Sequence, residues 1–321
     1  MIIILFKKDA INTSNEKSFY SLGTINRIVA YGKDSEGALY KAYKRVLEID
    51  DRVSAFKDDS DIAKINRCAG QEVQKVNADT FNLLKCSLEF SSLSNGAFDI
   101  TIRPLTKLWD IGKKQNYIPP KEEIEQVLPL INYRDLVLDE KNCTAYLNKK
   151  GQAIDLGGIA KGYAADEVKR ILLENKIDSA LINLGGNIVT VGNNQGNTPW
   201  RIGIQNPLAV RGQYIGSILS TNQTIVTSGS NEQFFIKDGI RYHHILSPLT
   251  GYPVNKGVLS ITAICECSRD ADALTTALFV TGIDNVKSLL SKANAQAIFI
   301  MNNGDIFMTE GLRNTFERSF K

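Results

Sequence analysis

The stretch Ala153-Ile154-Asp155-Leu156-Gly157-Gly158-Ile159-Ala160-Lys161-Gly162 puts a carboxylate, a glycine pair and a lysine at the start of what reads as a helix. Ile154 and Leu156 flank Asp155 in strand-like alternation. From Ile159 onward Ala160, Tyr163, Ala164, Val168, Ile171 and Leu172 keep helical spacing. A helix N-terminus presents unpaired N–H groups and the positive end of a dipole, glycine lets an anion come close, and Lys161 adds a full charge. This spacing suggests anion binding, phosphate above all, with Asp155 beside it facing a metal or a ligand hydroxyl. The same residues also fit a plain glycine turn with Lys161 in solvent. The spacing matches neither G-x-x-x-x-G-K-[ST] nor G-x-G-x-x-G.

Other segments carry polar groups at strand ends and helix starts. Ser94-Asn95-Gly96-Ala97-Phe98-Asp99 closes a helix with an aromatic ring and a carboxylate, and Trp109 follows. Phe98 or Trp109 offers a stacking surface, although core packing is the plainer role for Trp109. Asn183-Leu184-Gly185-Gly186-Asn187 and Thr227-Ser228-Gly229 follow strands, where glycine lets a backbone approach a ligand. His243 and His244 are the only histidines. Strand alternation sends them to opposite faces, so one of them points into a given site. Asp272 and Thr276 lie one turn apart on a helix. A carboxylate with a hydroxyl is hard-oxygen ligation of the Mg²⁺ type, while an acidic first turn also compensates a helix dipole.

The elements that must position these groups alternate between few helices and many strands. Helical patterns cover 35–53 after an Asp34 or Ser35 cap, and a span from an Asn77 cap to Gly96. Others start after Pro119-Pro120, follow Lys161, and cover 271–280 (capped by Asp270) and 284–293. Strand patterns cover residues 1–6, 25–31, 136–138, 144–147, 180–184, 188–191, 200–205, 215–219, 224–227, 233–236, 241–246 and 259–264. A last hairpin, 297–301 with 306–308, turns on Asn303-Gly304. Consecutive strands with short turns pair antiparallel, so the fold class is α+β.

The chain has 321 residues, 43% hydrophobic and 23% charged, with a net charge of +3. That is a globular composition. No basic run is long enough for nucleic acid, and no apolar run is long enough to span a membrane. The cysteines Cys68, Cys86, Cys143, Cys265 and Cys267 are scattered, which fits a reducing compartment better than a disulfide framework.

Taken in order, D-L-G-G-I-A-K-G, N-L-G-G-N, T-S-G, H-H-I-x-x-P-x-T-G-x-P and A-D-A-L-T-T-A resemble the ApbE-type FAD:protein FMN transferases. Leu22-Gly23-Thr24, the segment from Ser54 and Phe56 to Asp61, and S-x-G-x-F-D-x-T-x-x-P-L extend the resemblance from residue 22 to near 310. It implies a single domain over 1–321, with largely antiparallel sheets and flanking helices in two intertwined lobes. FAD and Mg²⁺ would bind between the lobes. It implies Mg²⁺-dependent transfer of FMN from FAD to a Thr or Ser hydroxyl of an acceptor flavoprotein carrying D-G-x-[ST]-G-A-[ST], releasing AMP. The alternatives are an FAD pyrophosphatase giving FMN and AMP, and a non-catalytic flavin binder.

Carried over by motif, Leu22, Phe56, Ala97, Phe98, Asp99, Asp155, Lys161 and Ile245 would line the FAD site. The Gly158 carbonyl, Asp272 and Thr276 would hold Mg²⁺, with Thr275 near. His244 and Asp272 would be catalytic, and either His244 or a carboxylate would take the proton. Leu22 and Phe56 stand where the family often has Met and Tyr, Ser247 where Asp is common, and Gly158 where Ala is frequent. The family is largely exported and often lipid-anchored. Here no signal peptide or lipobox is visible, and the cytoplasm is the expected location.

Overall fold

The structure, a computed structural model, describes residues 3–4, 14–114, 116–210, 212–283 and 286–319. Its first half runs β1 (Ile3–Ile4), β2 (Ser14–Ser21), β3 (Thr24–Tyr31), α1 (Ser35–Val53), α2 (Asp61–Arg67), β4 (Gln74–Lys75), α3 (Ala78–Leu93), α4 (Arg103–Trp109), α5 (Lys121–Val127), β5 (Leu136–Asp139), β6 (Thr144–Leu147) and α6 (Ala160–Glu174). Then come β7 (Ser179–Leu184), β8 (Asn187–Val191), β9 (Trp200–Gln205), β10 (Tyr214–Ser220), β11 (Thr224–Gly229), β12 (Phe234–Lys237), β13 (Ile240–His243), β14 (Val258–Cys265), α7 (Ser268–Thr281), α8 (Val286–Lys292), β15 (Gln296–Met301), β16 (Ile306–Met308) and β17 (Phe316–Arg318).

The frame is an eight-stranded sheet in the order β16-β15-β14-β11-β8-β7-β3-β2, and its pairings are antiparallel. Both faces are covered. Ala180, Ile182, Val189 and Ala263 point to one face, into a core with Val46 of α1, Val168 of α6 and Leu274 of α7. Leu181, Ile188, Ile225 and Ile264 point to the other, against Trp200, Ile202 and Ile218 of a four-stranded sheet ordered β1-β9-β10-β17. Period-two side chains feeding two cores explain why β14 is buried along its whole length. The fold is α+β, as the strand run implied.

A smaller sheet, β4-β6-β5, packs with α2 and α3 and adds Ile65, Leu83 and Leu147 to the helix-side core, so the two parts share one interior. Trp109 is fully buried with Leu105, Ile124 and Leu246. Its indole N–H donates to the Gly251 carbonyl at 2.8 Å, and it stacks on Tyr242. It is a core residue rather than a ligand platform.

Helices α6 and α7 cross at Gly162. A Cβ there would overlap the Ser268 carbonyl oxygen and lie 2.7 Å from Arg269 Cα, so only glycine fits. The expected Asp270 cap of α7 is corrected by the geometry: the helix begins at Ser268, and Asp270 pairs with Arg269. The N–H groups of Ser268 and Arg269 donate instead to Asp166 of α6, at 2.8 and 2.9 Å. The strand expected over 241–246 ends at His243, because the chain turns out of the β12–β13 hairpin there. β2, α2 and α4 were not legible in the pattern. Of residues 1–6, Ile3–Ile4 pair with β9 and the rest lie outside the described residues, as does Asp284 of the 284–293 helix.

Candidate active site

The motif residues converge at one end of the large sheet. β2 and β3 are joined by Leu22-Gly23, both at positive φ (53° and 71°). The turn between β7 and β8 lies against them: a Cβ on Gly185 would sit 2.9 Å from Thr24 Oγ1. Within that turn Asn183 Oδ1 accepts from Gly186 N–H at 2.9 Å. β11 runs past β8 at this end. There Ser228 donates to Thr275 Oγ1 at 2.8 Å, tying the T-S-G segment to α7.

Asp155 is placed by a short parallel bridge between Ile102 and Ala153 and by its own N–H donating to Ile100 O. Its Oδ1 accepts from Gly157 N–H at 2.9 Å, and its Oδ2 lies 3.4 Å from Arg103 Nη1. The first turn of α6 is not an open anion nest. Ile159 and Ala160 N–H donate to Leu156 O, and Gly162 N–H donates to Asp272 Oδ2 at 3.0 Å. Asp272 therefore holds the dipole end that the sequence offered to a phosphate. Lys161 supplies the remaining positive charge. Its Nζ donates to Gly157 O at 2.7 Å and lies 3.4 Å from both Asp272 oxygens.

Thr276 and Gly158 complete this corner: a Cβ on Gly158 would be 3.3 Å from Thr276 Oγ1 and 3.2 Å from Phe98 Cε2. Thr276 Oγ1 leans to the Asp272 carbonyl at 3.4 Å. A buried carboxylate, a hydroxyl and a glycine with no side chain in the way form a hard-oxygen set that fits Mg²⁺ with retained waters.

Ala97 and Phe98 are buried next to Gly158, and Phe98 meets Phe90 edge to face. Asp99 turns inward. Its Oδ1 accepts from the Thr101 amide and hydroxyl, and its Oδ2 from Tyr133 N–H at 2.9 Å. Burial raises its pKa, and the Thr101 bonds oppose the rise. Phe56 is 68% exposed, with the Arg103 guanidinium 4.1 Å from its ring centre and Lys113 at 5.6 Å. Ile245 packs into the helix-side core, and Leu22 packs at its edge.

The two histidines separate as alternation requires. His243 is buried, meets Phe279 edge to face, and has its pKa lowered by burial to about 4. Its Nδ1 accepts from Ile245 N–H, so its Nε2–H donates to Val254 O at 2.8 Å. His244 is exposed, within electrostatic reach of Lys161 and Glu232. Its Nδ1 lies 3.3 Å from Gln233 O, and a carbonyl only accepts, so the proton is on Nδ1 and Nε2 keeps its lone pair. The surrounding protein lowers its pKa although solvent reaches the ring; the Gln233 bond opposes this, and the nearby Lys161 charge adds to it. A neutral imidazole with a free Nε2 can take a proton near pH 7.

Lys161, Asp272, Thr276, Gly158 and Phe98 thus lie together, Phe56 is tied to Asp155 through Arg103, and His244 lies within electrostatic reach of Lys161. Arg103 was missed by sequence reasoning. Its one signal was an arginine directly before a proline.

The ApbE family model matches residues 22–299. The chain is 36% identical over 282 residues to an FAD:protein FMN transferase of Klebsiella pneumoniae, covering 88% of this chain and 87% of that one. It is 33% identical over 310 residues to an FAD:protein FMN transferase of Treponema pallidum, covering 91% and 85%. The crystal structure of the ApbE protein of Thermotoga maritima superposes with a TM-score of 0.85 at 35% identity, covering 94% of this chain and 99% of that one. The flavin transferase ApbE of Vibrio cholerae does so at 0.85 and 26%, covering 95% and 100%.

Proposed function

The chain belongs to the ApbE family and is a flavin-transferring enzyme with FAD as its substrate; from that premise we propose that it moves FMN from FAD to a Thr or Ser hydroxyl of an acceptor flavoprotein, with AMP as leaving group and Mg²⁺ as cofactor. The observation that supports this reading is the grouping of Lys161, Asp272, Thr276 and Gly158, with His244, its Nε2 unprotonated, within electrostatic reach of Lys161.

The pyrophosphate of FAD resists nucleophiles because its oxygens are anionic. The Gly158 carbonyl, Asp272 and Thr276 would hold Mg²⁺, which when bound supplies charge neutralisation at the pyrophosphate. Lys161 adds an ammonium beside them, held on Gly157 O. Phe56, 68% exposed, offers apolar surface to the flavin, while Phe98 is buried and backs Gly158 from the core side. Asp99 holds the 99–101 loop to Tyr133, and so fixes Phe98 without spending its own charge on the ligand. Arg103, shared between Asp155 and Phe56, is positioned to meet FAD oxygens.

The acceptor oxygen attacks the FMN-side phosphorus, the bond from that phosphorus to the AMP phosphate breaks, and the hydroxyl proton passes to His244 Nε2. The natural acceptor carries D-G-x-[ST]-G-A-[ST], a motif this chain lacks. Among the described residues no helix is long and apolar enough to cross a membrane.

The test is mass spectrometry of a small acceptor domain bearing D-G-x-T-G-A-T after incubation with the protein, FAD and Mg²⁺. A gain of one phosphoester-linked FMN, with AMP released, is expected. Free FMN and AMP without adduct would instead mark a pyrophosphatase, and unchanged FAD a binder.

A further inference from the structure

Among the described residues the β12–β13 hairpin forms a two-stranded sheet of its own, apart from both large sheets. One face is anchored: Phe235 stacks on Tyr242, which stacks on Trp109. The register puts Phe234, Ile236, Arg241 and His243 on the other face. Beyond His243 that face leaves the core. Ile236 is 56% exposed, and Phe234 is partly exposed with the Arg241 guanidinium 4.2 Å from its ring centre.

Between this face and the β9–β10 connection lies an open cavity of about 370 Å³, lined by Gln205, Pro207, Ala209, Asn231, Glu232, Phe234 and Arg241. Leu208 and Val210 on that connection are also exposed. Arg241 Nη1 is buried in this wall and has no hydrogen-bond partner in the structure. A buried guanidinium N–H without an acceptor is costly, and it matches a carboxylate in charge and geometry. The groove adjoins His244: Glu232, one of its lining residues, lies within electrostatic reach of that ring, and the neighbouring Gln233 O receives its Nδ1–H.

We propose that this groove docks the acceptor protein, with a carboxylate of the acceptor segment on Arg241 and apolar neighbours on Phe234 and Ile236, so that the acceptor hydroxyl reaches His244. This rests on the reading that the acceptor is a protein. A water nucleophile would need no such surface. Arg241 and the hairpin face lie outside the groups assigned to FAD and Mg²⁺, so docking and flavin binding separate experimentally.

The experiment measures FMN transfer to an acceptor domain bearing D-G-x-T-G-A-T at saturating FAD and Mg²⁺, with FAD affinity read independently by flavin fluorescence. Arg241→Gln and Arg241→Glu are expected to raise the KM for the acceptor by about tenfold to a hundredfold, with FAD affinity unchanged, as for a truncated charge-assisted contact. Ile236→Glu, on the exposed strand face, is expected to raise it as well. Replacing the acceptor's motif Asp by Arg is expected to recover activity with Arg241→Glu and to lose it with the native arginine. An acceptor KM unchanged in Arg241→Glu and Ile236→Glu, in a wild type that does form adduct, overturns the docking site alone. No adduct with the wild type overturns the transferase reading, and this inference with it.

Discussion

Asp166 and Asp272 cap each other's helices. Asp166, on α6, accepts from the N–H groups of Ser268 and Arg269 that open α7, and Asp272, on α7, accepts from Gly162 N–H in the first turn of α6. Burial raises the pKa of Asp166, and its backbone partners pull it back. The carboxylate proposed for Mg²⁺ is therefore fixed by the same crossing that starts both helices, next to Lys161. A metal-binding group held on two packed helices is positioned before any ligand arrives.

Gly162→Ala tests that crossing. The added Cβ would overlap the Ser268 carbonyl, which is backbone and cannot swing aside. A loss of about 1–3 kcal/mol is expected, as for overpacking, along with weakened FAD binding. Gly37→Ala in α1 is the control, because its Cβ meets nothing within 4 Å. That change is expected to stabilise by about 0.4–1 kcal/mol. Thermal melts of both variants decide the point, and equal Tm values would remove the close-crossing argument.

Asp272→Asn keeps an oxygen for Gly162 N–H but removes the charge that faces Lys161. The variant is expected to fold and to lose Mg²⁺-dependent transfer. Titration calorimetry with Mg²⁺, beside transfer rates with and without EDTA, reads both. Wild-type turnover by the variant in excess EDTA would sink the metal assignment.

His244→Ala is expected to keep FAD affinity and lose about 10²–10⁴-fold in transfer rate. The pH profile carries a sharper signature. A base must be neutral, and the His244 pKa lies below its ordinary 6.5. The rate should therefore hold at neutral pH and fall on acidification with a midpoint below 6.5. A midpoint above that value, or an acid limb surviving in His244→Ala, would assign the proton to another group. His243→Ala should instead cost stability, because Val254 O and Ile245 N–H both lose their partner.

The longer helices were legible because their apolar residues repeat with one period, as Leu39, Ala42, Val46, Ile49 and Val53 do on α1, and β14 because it is a mostly apolar run. β2 was hidden because its side chains alternate between exposed and half-buried, so apolar residues do not mark a face. α4 was hidden because it is one short run with a proline at its start. The motif residues were visible as types and spacings. What they do to one another was not: the Asp272 bond to Gly162, the Asp99 bonds to Thr101 and Tyr133, and Arg103 between Phe56 and Asp155 depend on distant segments meeting.

Asp79 makes part of the stability depend on acid. It accepts from Arg45 through both oxygens, and from Arg52 and Tyr163, joining α1, α3 and α6. Glu167 receives the Arg45 Nε–H on the far side. The Arg45 bonds lower the Asp79 pKa from 3.8 to about 2, against the opposing effect of burial. A folded pKa below the unfolded one contributes stability that is fully present above about pH 4 and is lost as pH falls through about 2. A shift of this size corresponds to about 2 kcal/mol. Asp79→Asn is therefore expected to lower the urea midpoint at pH 7, with the gap to wild type narrowing between pH 4 and pH 2. A gap of constant size across that range would mean that the carboxylate's charge is not what holds these helices together.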